Sequence, residues 1–194
     1  MLNLLTDTAL MPYNENIKYH CGLFACDNDD LDDFFCNDAV LYEKELLGKT
    51  YCFVTRAVPH EIVGVFTIAN DSIKTSHLTQ PTTNRLNRPI SNPKRGRSYP
   101  ATLIGRLGIS TKYQRQHIGT QIIDFLKNWI RDDDTKAGCR FLVVDAYNDQ
   151  NILNFYLQNG FKYLFATEND ERDYYSIPNH EIIKTRLMYY DLKH

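Results

Sequence analysis

A strand that passes through a short polar turn into a long amphipathic helix, between Thr102 and Trp129, constrains the fold of this chain most. The strand contains Gly105 and Gly108, and glycine within a strand pattern marks a bulge or a close backbone approach. The helix is predicted by apolar residues at helical spacing: Ile118, Ile122, Phe125, Leu126 and Trp129. A helix start has unpaired N–H groups and the positive end of the helix dipole. This turn therefore predicts a phosphate-binding site.

Composition excludes several classes of protein. The chain has 194 residues and a net charge of −2, which predicts no general affinity for nucleic acid. It begins without a basic segment followed by a long apolar run, and no stretch reaches the length of a membrane span, so neither a signal peptide nor a membrane contact is expected. The five cysteines contain no C-x-x-C pair and predict buried thiols in a reducing cytoplasm: Cys21, Cys26, Cys36, Cys52 and Cys139.

Pattern along the chain predicts the remaining elements. Residues 1–16 are expected to form a loose lead-in, residues 17–26 a first strand, and residues 50–57 with 62–69 a hairpin. Residues 72–100 lose periodicity and predict an exposed insertion. The insertion carries five basic side chains that fit either a solvated loop or a contact to an anion, such as the phosphate of a nucleotide cofactor or an RNA backbone: Arg85, Arg88, Lys94, Arg95 and Arg97.

The turn resembles the Q/R-x-x-G-x-G/A loop of the GNAT acetyltransferases, which grips the pyrophosphate of acetyl-CoA. The resemblance covers Gln114, Arg115, Gln116, His117, Ile118, Gly119 and Thr120. It also implies that the pantetheine arm pairs with the strand edge formed by Leu107, Gly108 and Ile109. His117 replaces the first glycine of the pattern, and a Cβ there disfavours a positive φ. The turn still fits a phosphate if residue 117 is helical, with its N–H aimed at the phosphate and its imidazole pointing outward.

A second motif strengthens this resemblance. Tyr156, Gly160 and Phe161 match the Y-x-x-x-G-F segment of the GNAT family, in the family's order and at a plausible distance from the turn. Both motifs together identify the chain as a member of that family. The resemblance implies a single α/β (mixed α+β) domain over residues 1–194. Its central sheet would be mixed and splayed, with six to seven strands and helices on both faces.

The family resemblance also implies a mechanism with acetyl-CoA as cosubstrate and no metal. Tyr156 would be the catalytic residue that meets the departing CoA thiolate. A tyrosine titrates near 10 and a thiol near 8.5, so full proton transfer is uphill by about 2 kcal/mol. Hydrogen bonding to the thiolate, or a lowered tyrosine pKa, is therefore expected. The general base stays unassigned, with His60, Glu61 and Glu168 as candidates.

A narrower resemblance points to the GNAT-type toxins of toxin–antitoxin pairs. Residues 24–28, 62–68 and 106–109 resemble motifs of those toxins, which acetylate the α-amine of aminoacyl-tRNA. It implies a tRNA acceptor, and an antitoxin and a second copy of the chain are candidate partners. Two alternatives stay open: an acetyltransferase of a protein N-terminus, lysine or small-molecule amine, and a CoA-binding module without turnover.

Overall fold

The computed structural model describes residues 2–90, 98–132 and 137–193. The strands are β1 (Thr8–Pro12), β2 (Lys49–Thr55), β3 (Ile62–Lys74), β4 (Ser98–Ile109), β5 (Phe141–Tyr147), β6 (Lys162–Tyr163) and β7 (Thr185–Asp191). The α-helices are α1 (Leu4–Asp7), α2 (Glu15–Cys21), α3 (Asp29–Asp33), α4 (Ala39–Lys44), α5 (Gln80–Asn87), α6 (Ile118–Arg131), α7 (Gln150–Gln158) and α8 (Glu168–Tyr175). A π-helical segment, Phe34–Asp38, joins α3 to α4, and 3₁₀ turns occupy Thr75–His77 and Thr111–Tyr113.

The seven strands follow the order β1-β2-β3-β4-β5-β7-β6 in a mixed sheet. The β1–β2, β2–β3, β5–β7 and β6–β7 pairs are antiparallel, whereas β4 and β5 are parallel. The β4–β5 ladder covers only three residue pairs, from Ala101 with Phe141 to Leu103 with Val143. The predicted mixed α/β fold with six to seven strands is confirmed, as is the hairpin of β2 and β3.

The chain divides into two compact units. The first unit comprises Met1–Ala69 and Ile104–Trp129, and the second comprises Asn70–Leu103 and Ile130–His194. Each has its own buried apolar residues, described below unit by unit. The assignment of residues 1–194 to one domain stays a prediction.

In the first unit, alternate residues of β2 face opposite layers. Cys52 and Val54 pack into a cluster with the apolar side chains of residues 13–39. On the other face, Phe53 meets Phe125 of α6 edge-on, with ring centroids 5.2 Å apart. The period of two along the strand thus gives one face to α2–α4 and the other to α6. This layering confirms helices on both faces of the sheet.

The expectation of a loose lead-in over residues 1–16 is wrong. Leu4 is buried, and its backbone N–H donates to the side chain of Gln121 on α6 at 2.8 Å. All of strand β1 then pairs with residues 51–55 of β2. The predicted first strand over residues 17–26 is also wrong, because Asn14 caps α2 there with its side chain and Gly22 ends the helix at a φ of 77°.

In the second unit, β5 and β7 pair along seven residues and form the centre of a second cluster. Part of the predicted insertion belongs to this cluster. Ile73 and Leu86 are buried, and Leu86 lies on α5. Residues 72–90 are therefore a packed segment rather than an exposed loop, whereas residues 91–97 lie outside the described part of the chain.

All five cysteines are free thiols. Cys26 and Cys52 are buried, which raises the pKa of each thiol to about 12. Cys36, on the π-helical segment, is exposed, so the prediction of buried thiols is wrong for that residue. Among the residues that the structure describes, no helix has the length and apolar character needed to cross a membrane.

Candidate functional site

The turn between β4 and α6 contains two residues in the left-handed region. Arg115 has a φ of 57° and His117 a φ of 61°, and both side chains are exposed. Residue 117 is therefore not helical, and the helical conformation considered for it from the sequence is not the one adopted. Left-handed backbone costs a non-glycine residue about 1–2 kcal/mol. Strain of this kind is concentrated at binding and catalytic sites.

Backbone amides at the start of α6 are left without partners by this turn. The first backbone hydrogen bond of the helix runs from the N–H of Gln121 to the carbonyl of His117, at 3.1 Å. The N–H groups of Ile118, Gly119 and Thr120 have no acceptor among the described residues. Because the helix dipole adds positive potential at this end, the three amides together favour an anion.

Side chains of the turn hold its backbone in place. The amide group of Gln114 donates to the carbonyls of Cys26 at 2.9 Å and Ile109 at 3.2 Å. The amide group of Gln116 donates to the carbonyl of Lys112 at 3.1 Å. These two glutamines, predicted to bind the cofactor, are thus engaged by the protein, and they fix the positions of the free main-chain amides.

At the end of β4, glycine is required for close packing. A Cβ on Gly108 would lie 3.1 Å from both the Sγ of Cys26 and the ring of Phe24, contacts that would force the neighbours to move. Leu107 and Ile109 alternate with Gly108 and are partly buried, and Ile109 approaches the α6 face beside Gly64. Of the two sequence interpretations of this glycine, the structure thus supports close backbone approach.

Beside the turn, Glu61 is held as a carboxylate. Both of its oxygens accept from the Nζ of Lys112 at 2.6 Å, and the hydroxyl of Tyr113 donates to it as well. These hydrogen bonds, the one from Lys112 foremost, lower the pKa of Glu61 below its ordinary value. A carboxylate stabilised in this way is a poor proton acceptor, which argues against Glu61 as the general base.

The other two candidate bases are also engaged. The Nδ1 of His60 lies 2.8 Å from the carbonyl of Thr55. In the second unit, Glu168 accepts from Asn148 at 3.1 Å and lies 3.7 Å from Arg186. Within the described residues the Nε2 of His60 and the Oε2 of Glu168 have no partner, so both side chains stay candidates for the general base.

In the second unit, Tyr156 lies on the buried side of α7. It is 6% exposed, and its ring meets those of Phe155 and Phe161 at centroid distances of 5.0 and 5.3 Å. Burial raises the pKa of its hydroxyl above the ordinary value. The expected alternative of a lowered tyrosine pKa is therefore wrong, and Tyr156 is a neutral hydrogen-bond donor at physiological pH.

The basic residues predicted to contact an anion are only partly described. Arg85 donates to the carbonyls of Tyr163 at 3.0 Å and Leu164 at 2.6 Å, so part of its donor capacity serves the second unit itself. With Arg88 and Lys162 it lines a cavity of about 460 Å³. Lys162 joins this cavity only through folding, and sequence gives no signal for it. Lys94, Arg95 and Arg97 lie outside the described residues.

Comparison with known proteins now adds to this geometry. The family model described as an acetyltransferase (GNAT) domain matches residues 50–163, which is 114 of the 194 residues. The chain belongs to the GNAT acetyltransferase family. It is accordingly an N-acetyltransferase. No curated protein matches the sequence.

Solved structures with the same GNAT fold include toxins of toxin–antitoxin pairs. A tyrosine-to-phenylalanine mutant of KacT matches with a TM-score of 0.71 and 17% identity, over 97% of this chain and 96% of the other. AtaT complexed with acetyl-methionyl-tRNAfMet matches with a TM-score of 0.69 and 16% identity, over 96% of both chains. A tyrosine-to-phenylalanine mutant of AtaT, bound to acetyl-CoA and the C-terminus of the antitoxin AtaR, matches with a TM-score of 0.66 and 16% identity, over 96% of this chain and 94% of the other. At these identities the likeness shows the fold alone.

Proposed function

We propose that this acetyltransferase binds acetyl-CoA at the start of α6 and transfers its acetyl group to the α-amine of an aminoacyl-tRNA. The observation that carries the cofactor assignment is the set of free amides on Ile118, Gly119 and Thr120. A diphosphate supplies the acceptors that these groups lack, and the left-handed residues 115 and 117 hold the backbone open for it. The three-residue ladder between β4 and β5 supports a pantetheine arm pairing with the later residues of β4, Leu107 to Ile109.

Positioning accounts for most of the proposed catalysis. An α-amine titrates near 8, so a substantial fraction is neutral at physiological pH and needs no strong base, whereas a lysine amine near 10.4 does. Glu61, whose pKa is lowered, is a weak base, which favours an α-amine acceptor over a lysine. A backbone N–H of β4 near Gly108 would polarise the thioester carbonyl, and orientation of the two substrates lowers the entropic part of the barrier.

Tyr156 keeps the role that the family motif gives it, as a hydrogen-bond donor to the CoA thiolate. Because burial raises its pKa, full proton transfer to a thiolate is more unfavourable than for an exposed tyrosine. We therefore assign to Tyr156 a stabilising hydrogen bond, and to solvent the final protonation of the thiol. Two of the structurally similar toxins were studied as tyrosine-to-phenylalanine mutants.

Two further observations support a tRNA acceptor. One structurally similar protein, AtaT, is complexed with an acetylated methionyl-tRNA. The cavity lined by Arg85, Arg88 and Lys162 gives this chain of net charge −2 a local cationic surface for phosphates. Lys94, Arg95 and Arg97 stay proposed contacts to the acceptor. An antitoxin and a second copy of the chain remain proposed partners.

The experiment is brief expression with isotopically labelled acetate, followed by mass spectrometry of total RNA and protein. We expect label on the amino acid of aminoacyl-tRNA, arrest of growth, and loss of both in Tyr156→Phe. Tyr99→Phe in the same unit is the control, because among the described residues it removes a hydroxyl that bonds the side chain of Asn87. Label confined to proteins or small amines would refute the tRNA acceptor but not the acetyltransferase. Growth arrest that persists fully in Tyr156→Phe would argue against Tyr156.

A further inference from the structure

Arg106, on β4 in the first unit, is an arginine without a counter-ion in the part of the chain that the structure describes. Its Nε is buried and has no hydrogen-bond partner among those residues. Its Nη1 donates to the carbonyl of the adjacent Gly105, at 2.9 Å. Within residues 2–90, 98–132 and 137–193, no carboxylate lies within ion-pair distance of it. A guanidinium withdrawn from water without an anion is unfavourable, because desolvation is not offset by pairing.

Arg140 and Arg186 are buried or partly buried and bond to carboxylates, whereas the partly buried Arg172 bonds to the carbonyls of Pro178 and Glu181. Arg140 also has an unpartnered Nε, but its Nη2 bonds Asp191 at 2.7 Å. Arg186 bonds Glu171 at 2.5 Å through its Nε. Arg106 is partly buried but has no carboxylate partner among the described residues. An anion from outside the described chain would supply the missing negative charge.

The guanidinium is nevertheless held firmly in place. Its central carbon lies 4.9 Å from the ring centroid of Phe34, in the stacking arrangement that arginine makes on aromatic faces. Phe34 opens the π-helical segment Phe34–Asp38. Such segments are rare and frequently occur at functional sites. The stacking fixes the plane of the fork, and the Nη2 of Arg106 has no hydrogen-bond partner among the described residues, so it is the group left to a ligand.

Arg106 is also close to the proposed thioester site. Gly108 is two positions further along β4, a distance of about 7 Å between Cα atoms at the usual strand rise. With a period of two, its side chain emerges on the same face as the position of Gly108. An acceptor whose amine approaches the acetyl group beside Gly108 would bring a neighbouring anionic group within reach of Arg106.

We propose that Arg106 is an acceptor-recognition residue, which binds an anionic oxygen of the acceptor close to the amine that is acetylated. This inference rests on the proposed acetyl transfer, and it specifies a substrate that carries a phosphate or a carboxylate next to its amine-bearing part. In an aminoacyl-tRNA the anion is a phosphodiester of the acceptor end. In a small-molecule acceptor it is a carboxylate. The planar fork of arginine suits both by two parallel hydrogen bonds.

Matched pairs of probes distinguish these sources. The first pair is a 3′-aminoacylamino nucleoside with and without a 5′-phosphate, which differ by one phosphate. The second pair is a free amino acid and its amide, which differ by one carboxylate. Arg106→Gln removes the charge, Arg106→Lys keeps the charge without the fork, and Arg56→Gln removes an exposed arginine of the same unit as a control.

With the nucleoside pair we expect Arg106→Gln to raise KM for the phosphate-bearing probe by about tenfold or more, as loss of a charge-assisted hydrogen bond predicts. KM for the phosphate-free probe should stay within about twofold, since it makes no bond to the guanidinium. The KM of Arg106→Lys for the phosphate-bearing probe should lie between those of the wild type and Arg106→Gln. The KM of Arg56→Gln should equal that of the wild type. If KM instead rises only for the free amino acid, and not for the nucleoside with a 5′-phosphate, the anion that Arg106 binds is a carboxylate.

Equal losses on both members of each pair, or no loss at all, would overturn the proposal. Urea unfolding of Arg106→Gln separates recognition from a purely structural role, which would lower stability and the turnover of every acceptor together. The proposed function is tested separately by calorimetry of acetyl-CoA binding to the wild type, and an absence of binding would refute it. If acetyl-CoA does not bind, the affinity of each probe for the wild type is measured without cofactor. The proposal for Arg106 is refuted if the probe with the phosphate or carboxylate binds no more tightly than its partner without that group.

Discussion

The starts of α6 and α7 are built in opposite ways. At α7, the side chain of Asp149 accepts from the N–H of Asn151 at 2.9 Å and of Ile152 at 3.3 Å. Helix α8 begins with a full capping box between Thr167 and Asp170. At α6, no side chain of the described residues accepts from the first three amides.

What differs is the purpose of each helix start. A side-chain cap stabilises a helix by about 1 kcal/mol, and the four orphan donors of a helix are otherwise left to water or a ligand. Helix α6 forgoes that stabilisation and adds left-handed backbone at Arg115 and His117. The apolar burial of α6, with Ile118, Ile122, Ile123 and Leu126 in the core, sustains the helix without a cap. The open end is therefore available for ligand binding.

The largest expected effect comes from Gly119→Glu, which would break the contrast by placing an acceptor at the open helix start. A carboxylate about 4 Å from the diphosphate costs roughly 4 kcal/mol at the effective dielectric of a protein surface, so acetyl-CoA affinity should fall by a hundredfold or more. Calorimetry of acetyl-CoA binding measures this. Asn151→Glu places the same charge at the second residue of α7 and should leave affinity intact. Unchanged affinity in Gly119→Glu would remove the cofactor assignment.

An intermediate effect is expected from Asp149→Ala, which removes the cap of α7. We expect the free energy of unfolding in urea to fall by about 1 kcal/mol, while acetyl-CoA affinity stays constant. Asp149→Asn should retain the stability, because asparagine caps as well as aspartate does. A loss of acetyl-CoA affinity in Asp149→Ala would show that the two helix starts are not functionally separate.

The smallest effect is expected from His117→Gly, which relieves the left-handed strain. Glycine adopts a φ near 60° without steric cost but loses more entropy on folding, so the net gain in stability should be below about 1 kcal/mol. His117→Ala keeps the strain and should show no gain. Thermal unfolding compares the two. Acetyl-CoA affinity should be unchanged in both variants, because the proposed hydrogen bonds to the diphosphate come from main-chain amides. A large loss of affinity in His117→Ala would show that the imidazole itself contacts the cofactor.

Strong local patterns made much of this fold predictable. Apolar residues form patterns long enough to be recognised in β2, in β3 and, at helical spacing, in α6. The predicted hairpin and helix are both present. The first sixteen residues were mispredicted because their order depends on tertiary contacts. A four-residue helix has no pattern of its own, and α1 is fixed by the burial of Leu4 and the hydrogen bond to Gln121.

The candidate site was predictable in its location but not in its detail. Spacing placed the turn at residues 114–120, whereas the backbone of His117 contradicts the rule that non-glycine residues avoid positive φ, because surrounding contacts decide that conformation. Arg106 appeared in sequence only as part of a motif. Its missing counter-ion is a property of the folded environment, which no spacing rule contains.

The exposed thiol of Cys36 lies two residues beyond Phe34, the ring that supports Arg106. The thiols of Cys26 and Cys52, with pKa values of about 12, stay protonated near neutral pH and react slowly with electrophiles. A maleimide dye would therefore attach to Cys36 in preference to those two. The native chain thus offers an attachment point for a fluorophore beside the π-helical segment, where acceptor docking could be followed by a change in emission.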